Sequence, residues 1–260
     1  TGRRACGMFS PHRNGTIQRQ PMTIQRAERL FDQFDPGTGM VVTFAGIGDP
    51  MVHPDFDAII RSARDAGAHA IHLRTELLAS REDLDRLLRC GVDVISVDLH
   101  ADSPKTYRAM MGIDRYHEVV DNIEYLLCRR ERRPLIVPRL QRCLATLEEV
   151  ESFHDRWLKR LGSVCIEGIP TWNDTARDES TGFLHTRLPD RLLVKENMSR
   201  MFVHSDGGVP IRESDLHGSD CICSIDDVNL SKAWRVLVDH RRAILRQHGP
   251  CPSRLGLLWP

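Results

Sequence analysis

Apolar residues along this chain follow two alternating spacings, and the alternation predicts repeated units of one strand and one helix. Short apolar or β-branched runs between residues 40 and 166 are typical of buried strands. The segments between them carry apolar residues three and four positions apart, as amphipathic helices do. The predicted strands are Met40–Ala45, His69–Leu73, Val92–Leu99, Leu135–Leu140 and Val164–Ile166. The predicted helices are Met22–Phe34, Asp55–Ala66, Arg81–Arg89, Pro104–Met111, His117–Arg130 and Leu147–Leu161.

Strands that alternate with helices predict a parallel sheet with helices outside it and right-handed crossovers. The pattern changes after Gly168. Residues 170–190 are typical of a long loop, Met201–Ile211 of a hairpin around Gly207-Gly208, and Asn229–Gln247 of a helix. We therefore expect an α/β domain over residues 1–168 and a small α+β extension over residues 169–260.

Composition excludes several classes of function. The 36 basic and 36 acidic residues cancel, so no strong positive field predicts a nucleic-acid partner. No apolar run reaches the roughly 18 residues that a membrane span needs. The eight cysteines are irregularly spaced, which suits a reducing compartment and predicts a cytoplasmic protein.

The turn after the first predicted strand is the strongest candidate for chemistry. It contains Gly46, Gly48, Asp49 and Pro50. Glycine allows the backbone to approach a ligand closely, and parallel α/β sheets bind ligands at the carboxyl ends of their strands. The turn therefore predicts the rim of a small-molecule pocket. A tight strand-to-helix connection without a ligand is the alternative interpretation.

Polar side chains on neighbouring strands predict a pocket wall. Ser96 and Asp98 lie two residues apart and so share one strand face, while Arg139 ends the next strand. Their alternative role is that of hydrogen-bonded core groups. A further hypothesis is an unrelated metal-dependent barrel enzyme, because carboxylates and imidazoles at strand ends suit zinc or another divalent ion. Its ligands would be Asp49, His53, Asp98 and His100.

Three segments resemble radical SAM proteins, in which a glycine-rich turn holds the amino group of S-adenosylmethionine (SAM). Gly46–Pro50 resembles that family's glycine-glycine-glutamate-proline turn, with Asp49 in place of glutamate. Val92–Tyr107 resembles its fourth strand and following helix. Ile71–Leu78 is similar to its third strand, although Glu76 replaces the usual asparagine.

The resemblance implies a partial (β/α)6 barrel, related to the TIM barrel, that binds SAM and a [4Fe–4S] cluster. In the family, SAM chelates the open iron, and its reductive cleavage gives an adenosyl radical that abstracts hydrogen from the substrate. Gly46, Gly48, Asp49 and Pro50 would then contact the methionyl group, Ser96 and Asp98 the ribose or substrate, and Arg139 the SAM carboxylate.

The cluster ligands of the family are incomplete here. The family binds its cluster through a C-x3-C-x2-C loop ahead of the first helix, where this sequence offers only Cys6. If Cys6 is the third ligand, the second falls on Arg3. If it is the middle ligand, its partners are Gly2 and Phe9. None of these side chains offers a lone pair to a metal. We expect Cys6 to be the only remaining metal ligand.

The C-terminal part is similar to the SPASM extension, which normally carries auxiliary iron–sulfur clusters. Here the family's Gly-x4-Cys falls on Gly207 and Arg212, the preceding cysteine falls near Asn197, and the later Cys-x2-Cys falls on Cys251 and Arg254. Both cluster sites are therefore predicted to be degenerate, although unusual ligands are possible.

Enzymes with this extension modify peptides or small molecules. The sequence accordingly predicts a radical-SAM-like protein that binds SAM at the strand ends and acts on a peptide or small molecule. The alternative is a cluster-free pseudoenzyme that serves as a binding or partner protein.

Overall fold

The computed structural model describes residues 19–46, 48–167, 198–213, 215 and 217–248, apart from the side chains of residues 245, 247 and 248. Cys6, the predicted loop at 170–190, the predicted domain boundary at 168, and residues 197, 251 and 254 lie outside this part. The predictions made for them remain predictions.

In the part of the chain that the structure describes, five parallel strands form the main sheet, and they follow one another in chain order. Their bounds are β1 Val41–Phe44, β2 Ala70–Thr75, β3 Val94–Asp98, β4 Leu135–Gln141 and β5 Cys165–Glu167. Each predicted strand is present within a few residues. The predicted α/β class with a parallel sheet is confirmed.

Within the described residues, six helices accompany the sheet and a seventh follows it in the C-terminal part. Their bounds are α1 Ile24–Phe31, α2 Phe56–Asp65, α3 Arg81–Arg89, α4 Pro104–Met111, α5 Tyr116–Arg129, α6 Val150–Leu161 and α7 Leu230–His248. A 3₁₀ helix, Leu144–Glu149, occupies the start of the predicted helix at 147–161. None of the helices in the described ranges combines the length and apolar character that crossing a membrane requires.

Local sequence explains where helices begin and end. Ser80 caps α3, because its side chain accepts a hydrogen bond from Asp83 N while Asp83 reaches back to the Ser80 backbone. Ser103 caps α4 ahead of Pro104. Gly162 closes α6 in the left-handed conformation that glycine tolerates.

The two faces of the sheet differ in chemistry. On β2, Ile71 and Leu73 are fully buried against the helices, whereas His72 and Arg74 point to the opposite, half-buried face. Burial of one such aliphatic side chain contributes about 1.5–3 kcal/mol. The polar face carries the candidate site.

The C-terminal part contains one two-stranded antiparallel sheet, formed by β6 Gly208–Pro210 and β7 Cys221–Ser224. The predicted hairpin within Met201–Ile211 is therefore wrong. Gly207 has φ +90°, and the backbone of His204 forms hydrogen bonds with Gly207 and Gly208. These backbone groups therefore form a tight turn and are not available to pair two strands. Asp226, just after β7, pairs with Arg26 of α1 and joins this part to the main domain.

Candidate functional site

The candidate site lies at the carboxyl edge of the sheet, where the loop after β1 meets the ends of β2, β3 and β4. Gly46 has φ +134°, a conformation that side chains rarely adopt, and a Cβ atom built there would meet nothing within 4 Å. Pro50 begins a short 3₁₀ helix, Pro50–Val52, that Asp49 caps by accepting a hydrogen bond from Met51 N at 2.9 Å. The predicted rim is thus exposed at Gly46, with space where a side chain would lie, and is increasingly buried toward Asp49.

Asp49 ties this loop to the end of β2. Its Oδ2 accepts hydrogen bonds from Thr75 Oγ1 at 2.8 Å and from the Glu76 backbone N at 2.9 Å. The side chain is 4% exposed. Because both oxygens accept hydrogen bonds from the protein, the main effect of the carboxylate is to fix the position of the glycine loop.

The loop after β2 is held from beneath by α5. The Nδ2 of buried Asn122 donates to the carbonyls of Leu77 at 2.9 Å and Ala79 at 3.0 Å. Leu77 has φ +54°, which is unusual for a residue with a side chain. These two bonds hold that conformation next to Glu76, which is itself almost completely buried.

A charged network covers the polar face of β2 to β5. Arg74 Nε donates to both carboxylate oxygens of Asp98, at 2.9 and 3.0 Å. Arg139 Nε lies 3.4 Å from Asp98 Oδ1, and its Nη2 pairs closely with Glu167 Oε1. The strand registers Asp98–Arg139 and Gln141–Glu167 bring these side chains together.

His72 and Ser96 lie next to this network. Ser96 Oγ and His72 Nε2 are 2.8 Å apart. Burial lowers the pKa of His72 to about 4, and the nearby guanidinium groups of Arg139 and Arg74 act in the same direction. His72 is therefore neutral near pH 7 and adds a hydrogen-bonding group to this face without adding charge.

The two other histidines considered at the strand ends have structural partners. His53 Nε2 lies 2.8 Å from the Met22 carbonyl, and its Nδ1 accepts from Asp55 N at 3.0 Å. His100 Nδ1 accepts from Gln141 N at 3.2 Å. Among the described residues, Asp49, His53, Asp98 and His100 form no three-ligand group, so the geometry gives the metal-barrel hypothesis no support.

Comparison with known families is informative at this point. The family model of the Radical SAM superfamily matches residues 6–129, which include the glycine loop and the strands β1 to β3. Residues 6–129 of this chain thus match the radical SAM family.

Solved structures support the radical SAM fold. The structure of anSMEcpe with bound AdoMet superposes with a TM-score of 0.70 at 11% identity, covering 92% of this chain and 79% of that one. SuiB from Streptococcus suis, bound to S-adenosylmethionine, gives a TM-score of 0.61 at 11% identity over 88% of this chain and 63% of its own. The predicted partial barrel of the radical SAM type is confirmed.

A curated relative is similar over a shorter stretch. A probable GTP 3',8-cyclase of Saccharolobus islandicus, strain Y.N.15.51 / Yellowstone #2, is 29% identical over 77 residues. This match covers 30% of the present chain and 25% of the relative. The chain thus spans about a quarter of the relative's length.

The residues described here fit the two cofactors of the radical SAM family unequally. The open space at Gly46 and the balanced charges of Arg74, Arg139, Asp98 and Glu167 suit a polar, zwitterionic ligand. An iron–sulfur cluster instead needs several thiolates close together. Across the described ranges, the ligand groups of three or more include no such set.

Two cysteines of the main domain illustrate this. The thiol of Cys90, which follows α3, donates a hydrogen bond to Asp57 of α2. Burial, and then the charge of Asp57, raises the pKa of Cys90 to about 12. Cys143 packs against Met110. Cys6 lies outside the described residues, so its assignment as a metal ligand remains a prediction.

The sequence did not identify several residues at the carboxyl edge of the sheet. His72, Arg74, Asn122 and Glu167 all contribute side chains there. The alternation of polar residues on β2 was the available signal for His72 and Arg74. Asn122 and Glu167 had no comparable local signal, because their partners lie 45 and 28 residues away in the chain.

Proposed function

We propose that this protein binds S-adenosylmethionine at the carboxyl edge of the sheet and acts on a peptide or small molecule there. The observation that carries the proposal is the loop after β1, which leaves space where a side chain at Gly46 would lie and whose position Asp49 fixes. The fold is that of proteins whose structures contain AdoMet.

Residue roles follow from the contacts. Because Asp49 is engaged with Thr75 and Glu76, we assign the methionyl contacts to the backbone of Gly46 and Gly48, with Asp49 and Pro50 as positioning residues. Ser96 and Asp98 face the ribose or substrate. Arg139 is the donor proposed for the SAM carboxylate, and its pairing with Glu167 orients it.

The charge of the edge favours a ligand with cationic groups. Arg74 and Arg139 are matched by Asp98 and Glu167, and the acidic side chains of Asp49 and Glu76 are added at the same edge. SAM carries both a sulfonium and an ammonium group. Coulombic attraction to buried acids strengthens as water is excluded. The additional acidic side chains at this edge should therefore bind SAM more tightly than an analogue whose sulfur is uncharged.

The class of substrate is proposed from the neighbours. Two of the structures with this fold contain peptides: anSMEcpe with a Cp18Cys peptide, and SuiB with its precursor peptide SuiA. In the present protein, the C-terminal residues Arg200 and Glu213 act through their charges on His72 and Arg74 respectively, so this part lies near the polar face. We propose that this part borders the substrate site as a SPASM-like extension.

Hydrogen–deuterium exchange tests the site. Saturating SAM should slow amide exchange at residues 48–53 and 74–79, at the ends of the first two strands. The loop Ala66–His69 at the opposite edge is the internal control and should not change. Equal protection at both edges, or at neither, contradicts the proposed location.

A cluster-free binding protein is the second candidate function. It is favoured by the sequence, in which Cys6 has no cysteine at the spacing of the family's C-x3-C-x2-C loop. We expect anaerobic reconstitution with iron and sulfide to leave less than one cluster per chain while SAM still binds. A stoichiometric cluster would instead assign the protein to the radical enzymes of its family.

A further inference from the structure

Three possible metal donors meet in the C-terminal part, away from the SAM edge. His204 precedes the turn at Gly207, Asp215 lies in the loop between β6 and β7, and Cys221 begins β7. One ligand atom from each lies within 4.8 Å of the other two. Within the described ranges, no other His, Cys, Asp or Glu side chains form such a group.

The backbone and neighbouring side chains hold two of these donors in place. His204 N donates to the Gly208 carbonyl, and the His204 carbonyl accepts from Gly207 N, both at 2.9 Å. The Asp215 carboxylate is 1% exposed and accepts from Ser219 N, Ser219 Oγ and Asp220 N, at 3.0, 2.9 and 2.7 Å. Such supporting bonds orient a carboxylate as metal sites require.

The imidazole of His204 has an unsatisfied atom. Its Nε2 is buried and has no hydrogen-bond partner among the described residues. A buried polar atom without a partner costs free energy, which coordination of a cation would recover.

The chain leaves room around the third donor. A Cβ atom at Gly208 would lie 2.9 Å from Cys221 Sγ, and one at Gly218 would lie 3.5 Å from it. The absence of a side chain at Gly208 leaves this space to the Cys221 thiol.

We propose that His204, Asp215 and Cys221 bind a single zinc-type divalent cation. Zinc accepts nitrogen, oxygen and sulfur ligands together, and three protein ligands leave its fourth tetrahedral position for water. Zinc–ligand bonds of about 2.0–2.3 Å place tetrahedral ligand atoms roughly 3.3–3.7 Å apart. The three ligand atoms lie within 4.8 Å of one another, so side-chain movements of about 1 Å bring them to these separations.

The set of donor atoms at this site differs from that of an iron–sulfur cluster. A cluster takes its ligands mainly from several cysteine thiolates. Here one thiolate, one imidazole and one carboxylate meet, while Cys223 lies two residues further along β7 and is not a member of the group. This site is also independent of SAM binding at the sheet edge, so either proposal can fail without the other.

The test is zinc binding by the tag-free full chain after treatment with a chelator. We expect a competition titration against a chromophoric chelator to show one high-affinity Zn²⁺ per chain. Cys221→Ser should weaken this site at least tenfold, and His204→Gln should do the same. Cys223→Ser is the matched control, since it removes a thiol from the same strand, and it should bind as the wild type does.

Cobalt substitution gives a second readout that does not depend on affinity. Co²⁺ in the wild-type chain should show thiolate-to-metal charge-transfer absorption, which Cys221→Ser should lose and Cys223→Ser should keep. Circular dichroism confirms that each variant is folded. The proposal is overturned if the folded wild type binds no zinc, if Cys221→Ser and the wild type bind equally, or if the site is isolated with iron and sulfide.

Discussion

Thr75 Oγ1 donates a hydrogen bond of 2.8 Å to Asp49 Oδ2, and so joins the end of β2 to the loop that follows β1. Both residues are nearly inaccessible to solvent. The bond passes between neighbouring parallel strands at the edge where this fold binds ligands. Asp49 thereby links the positions of Gly46 and Gly48 to the sheet itself.

Asp49→Asn should destabilise the protein by about 1–3 kcal/mol, because the amide cannot accept all three hydrogen bonds of the buried carboxylate. Urea unfolding followed by circular dichroism measures the change. The matched control is Asp55→Asn, since Asp55 is exposed and its side chain makes no capping bond. Equal effects at the two positions would contradict the anchoring role of Asp49.

A double-mutant cycle tests the pairing of Arg74 with Asp98. Removing one partner leaves a charge in the half-buried network, so Asp98→Asn should cost about 3 kcal/mol. Arg74→Gln in the same chain should recover part of that loss, with a coupling of about 1–3 kcal/mol. The exposed pair Arg108–Asp114 is the control and should show little or no coupling. Additive effects of the two inner-face changes would show that the pair is not coupled.

The stability of the protein should depend on pH through His72. Its pKa is about 4 in the folded state and near 6.5 in the unfolded chain, so only the unfolded chain takes up this proton between those values. Stability therefore falls as the pH is lowered from 6.5 to 4. Because His72 keeps some solvent contact, the loss should be about 1–2 kcal/mol rather than the roughly 3 kcal/mol of a fully buried group.

The measurement for His72 is unfolding at several pH values for the wild type and for His72→Gln. Carboxylates contribute the same slope to both proteins, so the difference between the two curves isolates the imidazole. An NMR titration of the His72 ring gives its pKa directly. Parallel stability curves and a ring pKa near 6.5 would rule out this contribution.

Asn122→Ala should cost about 2 kcal/mol, because it leaves the carbonyls of Leu77 and Ala79 without their donor. The loop that carries Glu76 should also lose amide protection in hydrogen exchange. Asp121→Asn, an exposed change at the preceding position of α5, should alter neither quantity. Unchanged amide protection of residues 76–79 in Asn122→Ala would show that the two hydrogen bonds of Asn122 are not needed to keep the loop in place.

The parallel sheet could be predicted because its strands are local β-branched or apolar runs and because Gly67, Gly91 and Gly162 end the preceding helices. The glycine loop could be predicted because its glycines follow directly after the first of these strands. The hydrogen bonds of Asp49 were not, since Thr75 lies 26 residues away and only the strand register brings them together. The C-terminal hairpin was misplaced because the turn at Gly207 precedes β6, and the partner strand β7 begins eleven positions after the end of β6.

Isothermal titration of the full chain with SAM, before and after anaerobic reconstitution with iron and sulfide, tests the central claim most directly. We expect one SAM per chain in at least one preparation. Gly46→Ala should lower its affinity at least tenfold, because a side chain there strains the loop and fills the space beside it. Gly39→Ala, at another open glycine of positive φ ahead of β1, should leave it unchanged. Absence of SAM binding in both preparations of the folded protein, or equal affinity in Gly46→Ala and the wild type, would contradict the account.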